Sequence, residues 1–437
     1  MGASGSKLEV MPASSTRRTS HAAGVVQASK YWLALRKALP TLEGKVVAVT
    51  GATSGMGIVL AVTVAELRGQ IIMLNRASER HDAAFDVVRA AALEAGAPEP
   101  IFIECDLSDF ASTRAAGDAL ALQCSSSGLD VLANNAGIMA FQNVATTDGC
   151  DIQMQTNHLS HYILVGKAMA VLERAAELRG EARIVNHSSA LRVRPVNPKT
   201  VPQWDQQLQQ KYLEKNGGAP ELDVGGEGKL DMGAGGIMVG GAWERYQQTK
   251  QANMVFTFAL DERLRAAHSN VKAVVCHPGV SSSQLSPSMS EHGDMKGLGL
   301  GAKVDKLLAD VLARAVMQSQ EDGACGLVTA SLAAGVESGT FWGPVGKASS
   351  YEYDAGGVQK HNMKEYTGPA TLIPVDRVAC LGGQATRDML WAVSERTTGG
   401  TIAIARAGST AAAADAPDGG AATGAAPAAA AAAAAAP

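Results

Sequence analysis

The sequence has no Cys-x-x-Cys pair, no long basic block and no long apolar run. Its cysteines, Cys105, Cys124, Cys150, Cys276, Cys325 and Cys380, are scattered. That spacing offers neither the paired thiolates of a zinc site nor the framework of a small disulfide scaffold, and it suits a reducing compartment. Net charge is −4, from 38 Lys and Arg against 42 Asp and Glu. Without a basic block, nucleic acid is not an expected partner. No stretch approaches the roughly 18 apolar residues that a membrane-spanning helix needs, so no transmembrane segment is expected. What is plentiful is core material. Of the 437 residues, 46% are hydrophobic, enough for one large α/β domain with tails or for two domains.

Composition divides the chain into three parts. Residues 1–43 are rich in Ser, Ala and basic groups, with Glu9 the only acid before Glu43. Most of this reads as an arm outside the fold, with Tyr31-Trp32-Leu33 the part equipped to dock. From about residue 401, Ala, Gly, Thr and Pro dominate. Residues 401–437 therefore form a low-complexity tail that cannot build a packed core. Between them, residues 44–400 alternate short β-branched runs with longer amphipathic stretches. The strand candidates are 45–50, 70–75, 101–105, 131–133, 183–187, 272–276 and 326–329. Helical patterns fill gaps at 58–67, 83–94 and 110–122. Several strands, Val46-Val47-Ala48-Val49 among them, are apolar without alternation, as in a parallel sheet buried on both faces. The order predicts an α/β fold: a single Rossmann-type, doubly wound parallel sheet with disordered tails.

One segment breaks the rhythm. Residues 191–242 hold Pro195, Pro198, Pro202 and Pro220, then ten glycines from Gly217 to Gly241. A loop this long inside a domain is functional or disordered. Within it, residues 206–215 look helical and the glycine-rich part does not.

The first strand candidate ends at Thr50 and runs into Gly51-Ala52-Thr53-Ser54-Gly55-Met56-Gly57. Glycines there allow a tight turn and close approach of backbone to a pyrophosphate, whose charge suits the N-terminus of the following helix. On its own the pattern reads equally well as a plain strand-to-helix turn. The second strand candidate ends in Asn75-Arg76, with no acid before Glu79. An acid there holds the ribose 2′-hydroxyl of NAD, whereas an arginine can pair with a 2′-phosphate. Arg76 therefore points to NADP(H) in preference to NAD(H); its other reading is a solvated surface arginine. Tyr246 and Lys250 stand four apart on an amphipathic stretch, on one helical face. Alone, they read as a half-exposed tyrosine and a solvated lysine. His158 and His161, spaced by three, lack a third metal ligand and read as packing or hydrogen-bonding groups. His277 before Pro278-Gly279 reads as structural.

Taken in order, the glycine turn, Asn134-Asn135-Ala136-Gly137, Asn157, Ser188-Ser189 and Tyr246-Gln247-Gln248-Thr249-Lys250 resemble the short-chain dehydrogenase/reductase family. Members move hydride between a nicotinamide cofactor and a carbonyl or alcohol. Thr147-Asp148-Gly149, the run from Gln155 to His161, His277-Pro278-Gly279-Val280 and the run from Leu390 to Glu395 resemble its retinol-dehydrogenase-like branch, which includes plant and WW-domain-oxidoreductase relatives; no WW domain is visible. The resemblance covers about 44–399. It implies Tyr246 as proton donor in reduction and base in oxidation. It makes Lys250 the activator that lowers the tyrosine pKa and binds the nicotinamide ribose. Ser189 rather than Ser188 holds the substrate oxygen, and Asn157 completes a proton relay. It implies a cofactor site of Gly51, Ser54, Gly55, Met56, Gly57, Arg76, Asp106, Leu107, Asn134, Ala136, Gly137, Tyr246, Lys250, Pro278, Gly279, Val280 and Ser283.

Two departures stand out. Ser189 and Tyr246 lie 57 residues apart, farther than the family pattern, because the Pro/Gly-rich segment intervenes. The family places that stretch near the substrate, so substrate choice does not carry over. The lysine follows Thr249 where the family commonly has Ser. The expected activity is NADP(H)-dependent interconversion of a small apolar alcohol and its aldehyde or ketone, in a chain that forms homo-oligomers as family members commonly do. The alternative is a cofactor-binding, membrane-associated scaffold with little turnover.

The start, Met1-Gly2-Ala3-Ser4-Gly5-Ser6-Lys7, fits the N-myristoylation pattern. A single acyl chain anchors only marginally, and Arg17-Arg18 or Arg36-Lys37 would supply the second signal. The acid-poor, Ser- and Arg-containing arm equally fits a plastid or mitochondrial transit peptide, or plain disorder. A peripheral tether through Gly2 implies a cytoplasmic or membrane-associated protein, a transit peptide an organellar one.

Overall fold

A computed structural model describes residues 19–22, 25–141, 143–192, 208–215, 241–281, 318–344, 367–373 and 382–405. The first elements are a hairpin of β1 (Thr19–Ala22) and β2 (Val25–Ala28), then α1 (Trp32–Ala38). There follow β3 (Val46–Thr50), α2 (Gly55–Glu66), β4 (Gln70–Asn75), α3 (Glu79–Ala95), β5 (Ile101–Glu104), α4 (Phe110–Gln123) and β6 (Val131–Asn134). The second half holds α5 (Ile152–Met154), a π-helical turn (Gln155–Leu159), α6 (Ser160–Arg179), β7 (Ala182–His187), α7 (Gly241–Ala266) and β8 (Val271–Cys276). It closes with α8 (Gln320–Leu332), β9 (Thr340–Gly343), β10 (Thr371–Ile373) and α9 (Gln384–Thr398).

All five residues of β3 are buried, and the strand lies inside an eight-stranded sheet of order β10-β9-β8-β7-β6-β3-β4-β5. The pairings from β5 to β9 are parallel; only β10 runs antiparallel, on the edge. Successive residues of a strand point to opposite faces. Val46 and Ala48 accordingly join the core with α4, α6, α7 and α9, while Val47 and Val49 join the core with α1, α2, α3 and α8. This is the doubly wound arrangement. Strand order reverses between β3 and β6, and a ligand crevice opens at such a point, beyond the carboxyl ends of the strands. The glycine turn after β3 and the Asn-Asn pair at the end of β6 both lie there.

The structure corrects the seventh strand. Residues 326–329 lie within α8, where Ser319 caps the helix by accepting from Asp322 N, and Glu321 and Asp322 favour the positive helix start. Gly326 faces the sheet: a Cβ there would come within 2.9 Å of His277 O. The strand in question is β9, Thr-Phe-Trp-Gly. Residues 206–215 also depart from a helix. From 208 on, the described part holds one 3-10 turn, Gln210–Tyr212, with Leu208, Tyr212 and Leu213 buried in the core. Packing begins ahead of residue 44, since Trp32, Leu39 and Leu42 are buried. It continues past residue 400, where Ile402 is buried and Ala405 N donates to Glu173. Gly2 and the arm up to residue 18, residues 193–207 and 216–240 of the insertion, Ser283, Cys380 and the tail from 406 lie outside the described residues. No helix among the described residues is long and apolar enough to cross a membrane.

Candidate active site

Helix α7 organises the site, because each of its i, i+4 pairs meets a different neighbour. Glu244 and Gln248 meet the insertion: Tyr212 Oη donates to Glu244 at 3.0 Å and Gln209 N to Gln248 Oε1 at 2.9 Å. Arg245 and Thr249 meet the segment from α5 into the π turn. Arg245 pairs with Asp151 at 3.1 Å, and Asn157 Nδ2 donates to Thr249 Oγ1 at 2.9 Å. Tyr246 and Lys250 meet the end of β7. The Tyr246 hydroxyl shares a hydrogen bond with the Ser189 side chain, and Lys250 Nζ donates to His187 O at 3.0 Å.

Four of the candidate side chains thus converge, all of them buried. Gly137 lies among them. A Cβ there would sit 3.1 Å from Asn157 Oδ1 and 3.2 Å from Lys250 Nζ. Asn157 is held by Ile138, whose N–H donates to its Oδ1 at 2.8 Å and whose carbonyl accepts from its Nδ2 at 2.9 Å. The two serines separate clearly. Ser188 Oγ donates to Lys250 O at 2.7 Å, on the backbone of the helix, whereas Ser189 is the one beside the phenol.

The electrostatics correct one expectation. Burial pushes the Tyr246 phenol up to about 12, with the Ser189 hydrogen bond opposing, so the anticipated depression by Lys250 is not present in the free chain. The reason is geometric. The ammonium is 5.8 Å from the centre of the tyrosine ring and is bonded to His187 O. Burial also brings Lys250 down to about 8.

The turn after β3 is a built cradle. Gly51 and Gly55 adopt left-handed backbone, φ +69° and +59°. A Cβ on Gly57 would lie 2.3 Å from Gly51 O and 2.6 Å from Asn135 Nδ2, so only glycine fits. Ser54 precedes α2 without a side-chain cap, which leaves the first-turn N–H groups of a buried helix start to be met from outside. That is the chemistry a pyrophosphate satisfies, and the site fits a dinucleotide on this ground. Gly57→Ala should overpack this turn and lower stability by about 2 kcal/mol, read as a melting shift of several degrees; an unchanged melt would mean the turn relaxes freely.

The other expected positions are spread around the crevice. Arg76 follows β4 directly and is exposed, with no ion pair to another described residue. Asn75 is buried and accepts from Ala52 N at 2.7 Å. Asp106 accepts from Ser108 N and Oγ at 2.9 and 2.7 Å, and Leu107 O accepts from Ser160 Oγ at 2.7 Å. Asn134 lies deeper, with Nδ2 on Asn186 Oδ1 at 2.9 Å. Met56 is buried at the start of α2, and Ala136 N donates to Thr50 Oγ1 at 3.0 Å. Pro278, Gly279 and Val280 follow β8, where Gln318 donates through Nε2 to Pro278 O at 2.7 Å and through its backbone N–H to Val280 O at 3.0 Å. The histidines hydrogen-bond inside the core. His161 bridges Thr50 Oγ1 and Asn157 O, and His158 meets Ser394 Oγ.

Two features escape motif reading. Asn135 donates to Thr50 O and Gly51 O and meets His187 Nδ1, tying the cradle to β7; its doubling with Asn134 is the only local signal. Asp151 and Arg245 join segments far apart in sequence, both buried, and burial raises Asp151 to about 6 against the opposing charge of Arg245.

A family model described as short chain dehydrogenase matches residues 45–201. Over that stretch the chain carries the short-chain dehydrogenase/reductase pattern. Among curated proteins it is 30% identical over 253 residues to an uncharacterized oxidoreductase of Schizosaccharomyces pombe, covering 56% of this chain and 63% of that one. It is 30% identical over 251 residues to mouse retinol dehydrogenase 14, with the same coverage, 56% and 63%. It therefore spans slightly less than two thirds of the length of these relatives. Among solved structures, an uncharacterized protein from Mycobacterium paratuberculosis superposes with a TM-score of 0.54 at 25% identity, covering 84% of this chain and 98% of that one. The family is one of oxidoreductases, and its retinol-dehydrogenase-like members resemble this chain.

Proposed function

We propose that the chain is an NADP(H)-dependent oxidoreductase that interconverts an apolar alcohol and its aldehyde or ketone. The observation that carries this reading is the meeting of Tyr246 and Ser189, with Lys250 and Asn157 around Gly137. The glycine turn and the start of α2 would hold the pyrophosphate, and Lys250 the nicotinamide ribose. When bound, a reduced nicotinamide supplies hydride to the carbonyl carbon. Tyr246 supplies the proton to the carbonyl oxygen, and Ser189 donates a hydrogen bond that holds that oxygen in place. Thr249 and the backbone of Ile138 fix Asn157, so that the relay from Lys250 starts from a fixed amide. In the ligand-free chain burial raises the Tyr246 phenol, so its protonated form is the one that stands beside Ser189.

Arg76 supports NADP(H). The side chain before it is engaged by the turn at Ala52, so Arg76 is the first side chain after β4 left to meet a ribose substituent. Arg76→Ala should weaken NADPH binding roughly tenfold or more, the worth of a charge-assisted contact, and leave NADH binding unchanged. Equal loss for both dinucleotides would remove Arg76 from the 2′-phosphate. The activity itself is tested by NADPH oxidation with the full chain against retinal, aliphatic aldehydes and ketones. Dinucleotide binding without turnover on any of these would favour the scaffold reading.

A further inference from the structure

The arm is fastened to α8 by an arrangement that the reaction does not use. Helix α1 has no side-chain cap of its own at Tyr31. Asp322, far along the chain, takes that role. Its Oδ2 accepts from Lys30 N at 2.7 Å, and its Oδ1 accepts from Tyr31 N at 2.9 Å and Trp32 N at 3.0 Å. A carboxylate at a helix start satisfies the unpaired N–H groups and matches the positive end of the helix. Ser29 adds bonds to Ser319 Oγ and Glu321, each at 3.1 Å. Trp32 is buried in the core on this side of the sheet. At its other end α1 is held to α2 by Arg36 on Glu66 at 3.1 Å.

The residue between Ser319 and Glu321 reaches the crevice. Gln320 Nε2 donates to Gly55 O at 2.6 Å, the carbonyl at the first residue of α2. Gly55 holds left-handed backbone, so its carbonyl direction decides how the next N–H groups are presented. The same turn of α8 touches the loop after β8, where a Cβ on Gly323 would meet Ser281 Oγ at 2.6 Å. One helix start is therefore gripped by the arm on its outer side and grips both edges of the crevice on its inner side.

We infer that Gln320 is a positioning residue of the dinucleotide cradle, and that arm residues 29–32 hold it there through Asp322. This rests on the reading of the glycine turn as a dinucleotide site. Freeing the arm from Asp322 lets the first turn of α8 relax, the Gly55 carbonyl loses its fixed donor, and the α2 N–H groups present less well to phosphate. The arm thereby sets cofactor affinity without touching the cofactor.

The test is NADPH dissociation constants, by ligand fluorescence on the full chain, for wild type, Gln320→Ala, Asp322→Ala and the double variant, each with a thermal melt of the ligand-free protein. Removal of one buried-end hydrogen bond should weaken binding roughly fivefold in Gln320→Ala with little change in melting. Asp322→Ala should weaken binding similarly, and the double variant no more than the stronger single one, because both act through one contact. Gln320→Ala with unchanged affinity overturns the inference, even if Asp322→Ala melts early, and so does an effect of Asp322→Ala that adds fully to that of Gln320→Ala. A wild-type chain that binds no dinucleotide sinks the reading of the site instead, and the inference with it.

Discussion

Tyr246→Phe should reduce turnover on the order of a thousandfold or more while dinucleotide binding persists. General acid catalysis by a positioned side chain contributes on the order of 10² to 10⁴ in rate. Phenylalanine keeps the ring, and with it the edge contact to Trp243 at 6.2 Å between centroids. The partner left behind is not stranded, since Ser189 Oγ also accepts from Leu191 N at 3.1 Å. The variant should therefore fold, melt close to wild type and bind NADPH, so the loss falls on the chemical step. Single-turnover NADPH oxidation on the best substrate of the panel measures it. A loss of tenfold or less would remove Tyr246 as the proton donor and leave Ser189 or a water in that role. Unchanged NADPH affinity beside a dead variant separates an enzyme from a scaffold, because a scaffold has no use for the hydroxyl.

The central sheet was legible because several of its strands, β3 first among them, are short apolar runs without alternation set between amphipathic stretches, the pattern of strands covered on both faces. The glycine turn was legible because close backbone approach leaves a mark on residue type: Gly57 has no room for a Cβ. Other features leave no such mark. The run at 326–329 has strand-like residues, yet it lies inside a helix whose N-cap, Ser319, is seven residues upstream. The Asp151–Arg245 pair and the Asp322 cap of α1 join residues distant in sequence, so no local window contains both partners. The tyrosine pKa of the free chain is hard to read from sequence for a related reason. Spacing on a helix places Lys250 one turn from Tyr246, but burial and the acceptor that the ammonium chooses, His187 O, are decided by the packed neighbours.

Those neighbours also set how the protein meets acid. His158, His161, His187 and His277 are all buried, and desolvation brings them down from 6.5 to about 3, about 4, about 3 and well below the ordinary value. Hydrogen bonding fixes the neutral form in at least one. Asn157 O can only accept, so His161 Nδ1 carries the proton and Nε2 accepts from Thr50 Oγ1. Folded pKa values below the unfolded one mean that the unfolded chain binds more protons once pH drops under 6.5. Stability is thus retained above 6.5 and lost as pH falls towards 4. Each such group costs about 1.4 kcal/mol per pH unit, so four together cost on the order of 5 kcal/mol per unit. Asp151 works the other way: burial raises it to about 6, so its protonation favours the folded state between that pH and its ordinary range and offsets roughly one histidine. Glu181 adds to the loss, since Lys272 and Arg183 hold it low against the effect of its burial. Against a total stability of about 5–15 kcal/mol, the balance should unfold the protein within roughly one to three units below pH 6.5. Far-ultraviolet circular dichroism against pH measures this, with tryptophan emission as a second probe. A chain still native at pH 3.5 would mean that water or relaxation lets these imidazoles charge in place, and that the core around Thr50, Asn157 and His187 is softer than its hydrogen bonds indicate.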